Sequence, residues 1–121
     1  MTATTREDTP VAIEGGGVEL RTREIGGDMS VAFVRFPRGT DMGPALKGRA
    51  DDGLCPCPHW GYLVKGRLKM VTRDGEEVYE AGQASYWAPG HSPVALEDCE
   101  YVDFSPTRAF TEVLDHVKNQ G

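Results

Sequence analysis

Cys55-Pro56-Cys57-Pro58-His59-Trp60-Gly61-Tyr62-Leu63-Val64-Lys65-Gly66 opens with two thiols and an imidazole and closes on a glycine. From His59 onward its aromatic and aliphatic residues favour extended backbone, and Gly66 supplies a turn. Gly82-Gln83-Ala84-Ser85-Tyr86-Trp87-Ala88-Pro89-Gly90-His91 has a matching plan: a glycine, a short apolar strand, a Pro-Gly turn and a histidine. Such strands belong to a small β-barrel, which would set the two stretches side by side. Two of the three histidines and two of the three cysteines lie in them.

Outward from these stretches the apolar pattern keeps a period of two, in short runs cut by turn residues. It predicts strands over 11–13, 18–23, 29–36, 59–65, 67–72, 78–80, 84–88, 94–96 and 101–104. Gly15-Gly16-Gly17, Gly26-Gly27-Asp28, Pro37 with Gly39, and Asp74-Gly75 punctuate them, the last as a hairpin. Many short strands with such turns imply an all-β sandwich or barrel. One helix is predicted over about 106–118, capped by Ser105 or Thr107 with Pro106 near its first turn. Phe110, Val113, Leu114 and Val117 form a single stripe on it, expected against the outside of the barrel or across a dimer interface. Residues 40–54 lack periodicity and read as a loop able to fold over the barrel mouth. Residues 1–9 read as a disordered polar tail and 10–121 as one domain.

A formal net charge of −6 and the absence of a basic run argue against nucleic acid as a partner. No apolar stretch approaches the roughly 20 residues of a membrane span. The polar N-terminus has no apolar core of the kind a secretory signal needs. Three cysteines, an odd number, point to a reducing compartment such as the cytoplasm, with free thiols or metal ligands.

The pattern His59-x-x-Tyr62-Leu63-Val64-x-Gly66 resembles the end of the first cupin motif. Gly82 followed by Pro89-Gly90-His91 resembles the second, and the spacing of Gly66 and Gly82 fits the spacer between them. The resemblance covers residues 29–104. It implies a double-stranded β-helix, or jelly-roll barrel, often dimeric and commonly holding one divalent metal. It also implies a small-molecule ligand, with isomerases, cyclases, lyases and dioxygenases among such proteins. The chain departs from the family pattern at the ligands. Aligned on Gly66, His59 stands where the family has a glutamate, and Cys55 and Gly53 stand where it has two histidines. Pro93 occupies the usual histidine position of the second motif, two residues after His91.

Side chains alternate along a strand, so Cys55, Cys57 and His59 would share a face. His91 would meet them from a neighbouring strand. Thiolate and imidazole suit Zn²⁺ first, and also Fe, Ni or Cu. The expected metal set is therefore Cys55, Cys57, His59 and His91, with His59 and His91 as the catalytic candidates. Pro56 and Pro58 cannot donate ladder hydrogen bonds, which loosens the alternation at Cys55 and Cys57. Plainer readings stand beside this one: small buried thiols and hydrogen-bonded core histidines. A metal-free binding barrel, and a metal-free acid/base enzyme using His59 or His91, alone or with an acidic partner such as Asp103, are the rival functions. Cys99, between Asp98 and Glu100, reads as unreactive, and His116 as solvated. Trp60 and Tyr62 alternate away from His59 and are expected to pack, while Phe33, Val34, Phe36 and Met70 are expected in the core.

Overall fold

The computed structural model describes residues 1–46 and 54–120. Among them nine strands form: β1 (Val11–Gly15), β2 (Val18–Gly26), β3 (Met29–Phe36), β4 (His59–Lys65), β5 (Arg67–Thr72), β6 (Gly75–Glu80), β7 (Ala84–Trp87), β8 (His91–Ala95) and β9 (Cys99–Pro106). A short helix α1 (Gly43–Leu46) follows β3, and α2 (Thr107–Gln120) ends the chain. Residues 47–53, within the loop expected over 40–54 and including Gly53, lie outside the described residues; of the described part, Asp41 bridges to Val94.

The strands make two antiparallel sheets, one of six in the order β1-β2-β3-β9-β4-β7 and one of three in the order β6-β5-β8. They enclose the core as a jelly-roll sandwich. The inward row of β3, Ala32, Val34 and Phe36, faces Leu63 of β4, Leu68 and Met70 of β5, and Tyr101 of β9. Phe33 is on the other pleat face of β3 and only half-buried, so it is not part of the core as expected. Glycine sets two close approaches. A Cβ on Gly61 would lie 2.7 Å from the Val102 carbonyl oxygen, so β4 and β9 could not keep their spacing. Gly66, at φ +89°, turns the chain out of β4 into β5 against the Asp98 carbonyl.

Both candidate stretches lie where the chain passes from one sheet to the other. Cys55 bridges His91 of the three-stranded sheet, through Cys55 N–H to the His91 carbonyl at 2.6 Å and Gly90 N–H to the Cys55 carbonyl at 2.7 Å. Four residues later His59 pairs with Trp87 in the six-stranded sheet. Pro56 and Pro58 occupy the crossing itself, outside any strand, where a missing N–H breaks no ladder. Likewise Ala88-Pro89-Gly90 carries the chain from Trp87 in one sheet to His91 in the other.

Helix α2 differs from the sequence expectation in position. Its stripe of Phe110, Val113 and Leu114 is buried and joins the core, with Val34 and Phe36 of β3, rather than lying on the outer wall. Neither predicted cap acts as one: the Ser105 hydroxyl bonds His59 Nδ1, and Thr107 meets Ser30. At the other end of the chain, Thr9 is buried, and Arg21 donates to the carbonyls of Arg6 and Thr9. Arg6 also pairs with Glu19, so the residues just before β1 are tied to β2 rather than free of it.

Candidate metal centre

The sheet crossings bring together the Cys55 thiol, the His59 imidazole and the His91 imidazole, one ligand atom from each, all within 4.8 Å of one another. All three residues are buried. Cys55 Sγ lies 3.7 Å from His59 Nε2. The two imidazole rings stand 5.0 Å apart between centroids, at 60°. With metal–sulfur bonds of about 2.3 Å and metal–nitrogen bonds of about 2.0 Å, tetrahedral ligand atoms sit roughly 3.3–3.6 Å apart. The trio is therefore close to the spacing one ion needs.

Each imidazole has its Nδ1 engaged. His91 Nδ1–H donates to the Ala88 carbonyl at 2.6 Å, in the turn that leads into β8. His59 Nδ1 lies 2.5 Å from the Ser105 hydroxyl and 3.5 Å from Asp103 Oδ2, both on the inward row of β9. The last distance would suit an ion pair, but burial works against both charges. Burial, reinforced by the neighbouring His91, pushes the His59 pKa down to about 3, and burial lifts that of Asp103 to about 8. At neutral pH the contact is between an uncharged imidazole and a protonated carboxyl. Burial also lowers the His91 pKa, against a smaller opposing effect of the Ala88 carbonyl. Both rings are thus in the neutral form that ligates metals.

A cavity of about 70 Å³ adjoins the trio. Its walls are Ile13, Leu20, Val34 and Phe36 on the six-stranded sheet, with Phe110 and Val113 of α2. Phe110 stands edge-on to His59 at 5.8 Å. On the far side of Met70, Trp87 and His91 lies an outer groove of about 510 Å³, edged by Tyr79, Tyr86 and Glu77. Met70, Trp87 and His91 line both spaces.

No protein-family model matches the sequence, and no curated protein matches it. Solved structures do. An RmlC-like cupin from Shewanella frigidimarina superposes with a TM-score of 0.62 at 19% identity, over 87% of this chain and 90% of that one. KdgF from Halomonas sp. gives 0.57 at 23% identity, over 84% and 90%. An oxalate decarboxylase variant from Bacillus subtilis gives 0.64 at 17% identity, over 88% of this chain but only 29% of that longer one.

The chain has the cupin fold.

On this fold the expected ligands separate. Cys55, His59 and His91 converge, whereas Cys57 does not join them. The alternation that would have aligned Cys57 with Cys55 and His59 fails because the chain bends at Cys57 while it changes sheets. The Cys57 thiol is fully buried, 3.5 Å from the Pro58 carbonyl, and burial pushes its pKa up to about 12, with Cys55 adding to the rise. It is a protonated core thiol. Cys99 is likewise buried and free, with its thiol against the Arg67 and Glu97 carbonyls. Sequence reasoning missed Ser105 at the site, having placed it as a helix cap. Asp103 was visible only as a generic acidic partner. The signal that could have found both is the inward row Tyr101, Asp103, Ser105, where two polar residues continue a buried face.

Proposed function

We propose that this cupin binds one divalent transition metal through Cys55 Sγ and the two histidines, and presents it to a small organic molecule. The observation that carries the reading is the convergence of three soft or borderline donors within 4.8 Å in a buried pocket. The residues present fit such an ion. One thiolate and two neutral imidazoles match the preferences of Zn²⁺ first, with Fe, Ni and Cu compatible. Three protein ligands leave a coordination position free, as catalytic zinc sites do and closed structural sites do not. When bound, the metal would supply Lewis-acid polarisation of a carbonyl or enolate oxygen.

The chain's own residues define the rest. The apolar walls keep bulk water from the centre, which strengthens electrostatic contacts there. Asp103 holds a proton on its carboxyl near neutral pH, and its Oδ1 has no hydrogen-bond partner among the described residues. A carboxyl with a pKa near working pH is suited to proton exchange. The inner cavity has room for only a few heavy atoms. The outer groove is of ordinary ligand size, so the bulk of a larger molecule would rest there against Tyr79 and Tyr86. Isomerase, cyclase, lyase and dioxygenase chemistry are all compatible with such a centre. We place the protein in a reducing compartment, in keeping with three cysteines outside any disulfide among the described residues, and as a homodimer. No helix among the described residues is long and apolar enough to cross a membrane.

Cobalt substitution tests the reading. Co²⁺ added to metal-free protein should bind at one equivalent and give the near-ultraviolet sulfur-to-metal charge-transfer band of a thiolate ligand. Cys55→Ala should abolish that band, and His59→Ala or His91→Ala should each weaken binding at least about tenfold. Cys57→Ala should leave band and stoichiometry unchanged. A wild-type protein that takes up no cobalt, zinc, iron, nickel or copper overturns the metal, and stabilisation by organic ligands unaffected by chelator would then favour a metal-free binding barrel.

A further inference from the structure

We propose that Ser105 is the positioning residue that fixes the tautomer of His59, and with it the nitrogen offered to the centre; this rests on His59 being a ligand. An imidazole can ligate through Nε2 only when its proton is on Nδ1. The surroundings of the ring decide where that proton goes. On the Nδ1 side lie two oxygens, Ser105 Oγ at 2.5 Å and Asp103 Oδ2 at 3.5 Å. On the Nε2 side lies the Cys55 thiol at 3.7 Å, which can donate to the ring or to the Cys57 carbonyl 3.9 Å away. The Ser105 hydroxyl can accept at Nδ1 while a thiol faces Nε2, an arrangement that places the proton on Nδ1 and turns the Nε2 lone pair toward Cys55.

Ser105 rather than Asp103 makes the contact of hydrogen-bond length. Its burial gives a second reason. Ser105 is 1% exposed on β9, and a buried hydroxyl without a partner costs stability. The chain thus holds one imidazole through a backbone carbonyl, Ala88, and the other through a side chain, and only the second can be altered by a point substitution.

Two-bond proton–nitrogen correlation spectra of ¹⁵N-labelled, metal-free protein read the tautomer directly. Wild type should show His59 protonated on Nδ1. Ser105→Ala, which removes one oxygen and adds no bulk, should shift His59 toward the Nε2–H form and weaken Co²⁺ binding about 10–100-fold. Ser105→Thr, which keeps the hydroxyl, should restore both. A Ser105→Ala protein that keeps the Nδ1–H form and binds cobalt within about twofold of wild type overturns the proposal. If wild type binds no metal, the ligand reading fails on its own, and the tautomer comparison still decides whether Ser105 orients the ring.

Discussion

Asp103 is a buried carboxyl whose neighbour, His59, is itself held uncharged, and their opposite shifts give the metal-free protein a distinctive pH profile. The His59 pKa is depressed from 6.5 to about 3, and that of His91 is depressed as well. Between the folded and unfolded values the unfolded chain carries more protons on these rings, so stability rises with pH up to about 6.5. Asp103 acts in the other direction. Its pKa is raised from 3.8 to about 8, so the folded protein keeps a proton the unfolded chain has lost. Its contribution is fully present below about pH 4 and falls away as pH rises toward 8. From pH 6.5 to 8 only the Asp103 effect remains of these three, amounting to about 2 kcal/mol lost. Urea midpoints of metal-free protein should peak near pH 6.5, and Asp103→Asn should flatten the decline between 6.5 and 8. A wild-type midpoint that stays level across that window would show that Asp103 is ionised in the fold. At this scale the sequence disclosed Cys55, His59 and His91 through residue type and spacing. It could not disclose which of Cys55 and Cys57 meets the two histidines, because that depends on a bend at a sheet crossing rather than on strand alternation.

The strands were legible because period-two runs between glycine and proline turns leave little choice, and the Asp74-Gly75 hairpin, the Gly66 turn and the apolar stripe of α2 all fall where the pattern puts them. What periodicity could not give is the surface that the stripe covers. Phe110, Val113 and Leu114 would look the same on paper whether they leaned on an outer wall or plugged the barrel. The two placements differ in energy. A helix resting on the outside would leave Phe110 partly wet, and Phe110→Ala would cost little. In the structure Phe110 is 6% exposed, wedged into the core beside His59. Phe110→Ala should therefore cost about 3–5 kcal/mol in urea unfolding, because it removes a buried ring and leaves a cavity. A loss below about 1 kcal/mol, in the range of ordinary surface substitutions, would return α2 to the exterior.

The whole molecule carries one surface that its composition does not announce. Alternation correctly put Trp60 and Tyr62 on the face opposite His59, and the expectation that they pack there fails within one chain: each is 46% exposed. Periodicity assigns residues to faces, and only the number of layers decides which face is covered. The register aligns Trp60 between Tyr86 and Phe104, and Tyr62 between Ala84 and Val102. Trp60 and Tyr86 lie 5.1 Å apart between ring centroids. Trp60, Tyr62, Val64, Tyr86 and Phe104 are five of the eight large hydrophobics left exposed among the described residues, gathered on the outer face of β4, β7 and β9. Contiguous apolar patches of this kind are uncommon on monomers and mark interaction sites. Homodimers bury such faces isologously, the same patch on both copies. Sedimentation equilibrium at micromolar concentration should then give twice the chain mass, little affected by salt because the patch is apolar. Trp60→Lys would place two buried ammonium groups near the two-fold axis and should yield monomer. Val78→Lys, an equally exposed residue on β6 of the other sheet, should leave the dimer intact. A wild-type protein that sediments as a monomer would remove the second copy from this face.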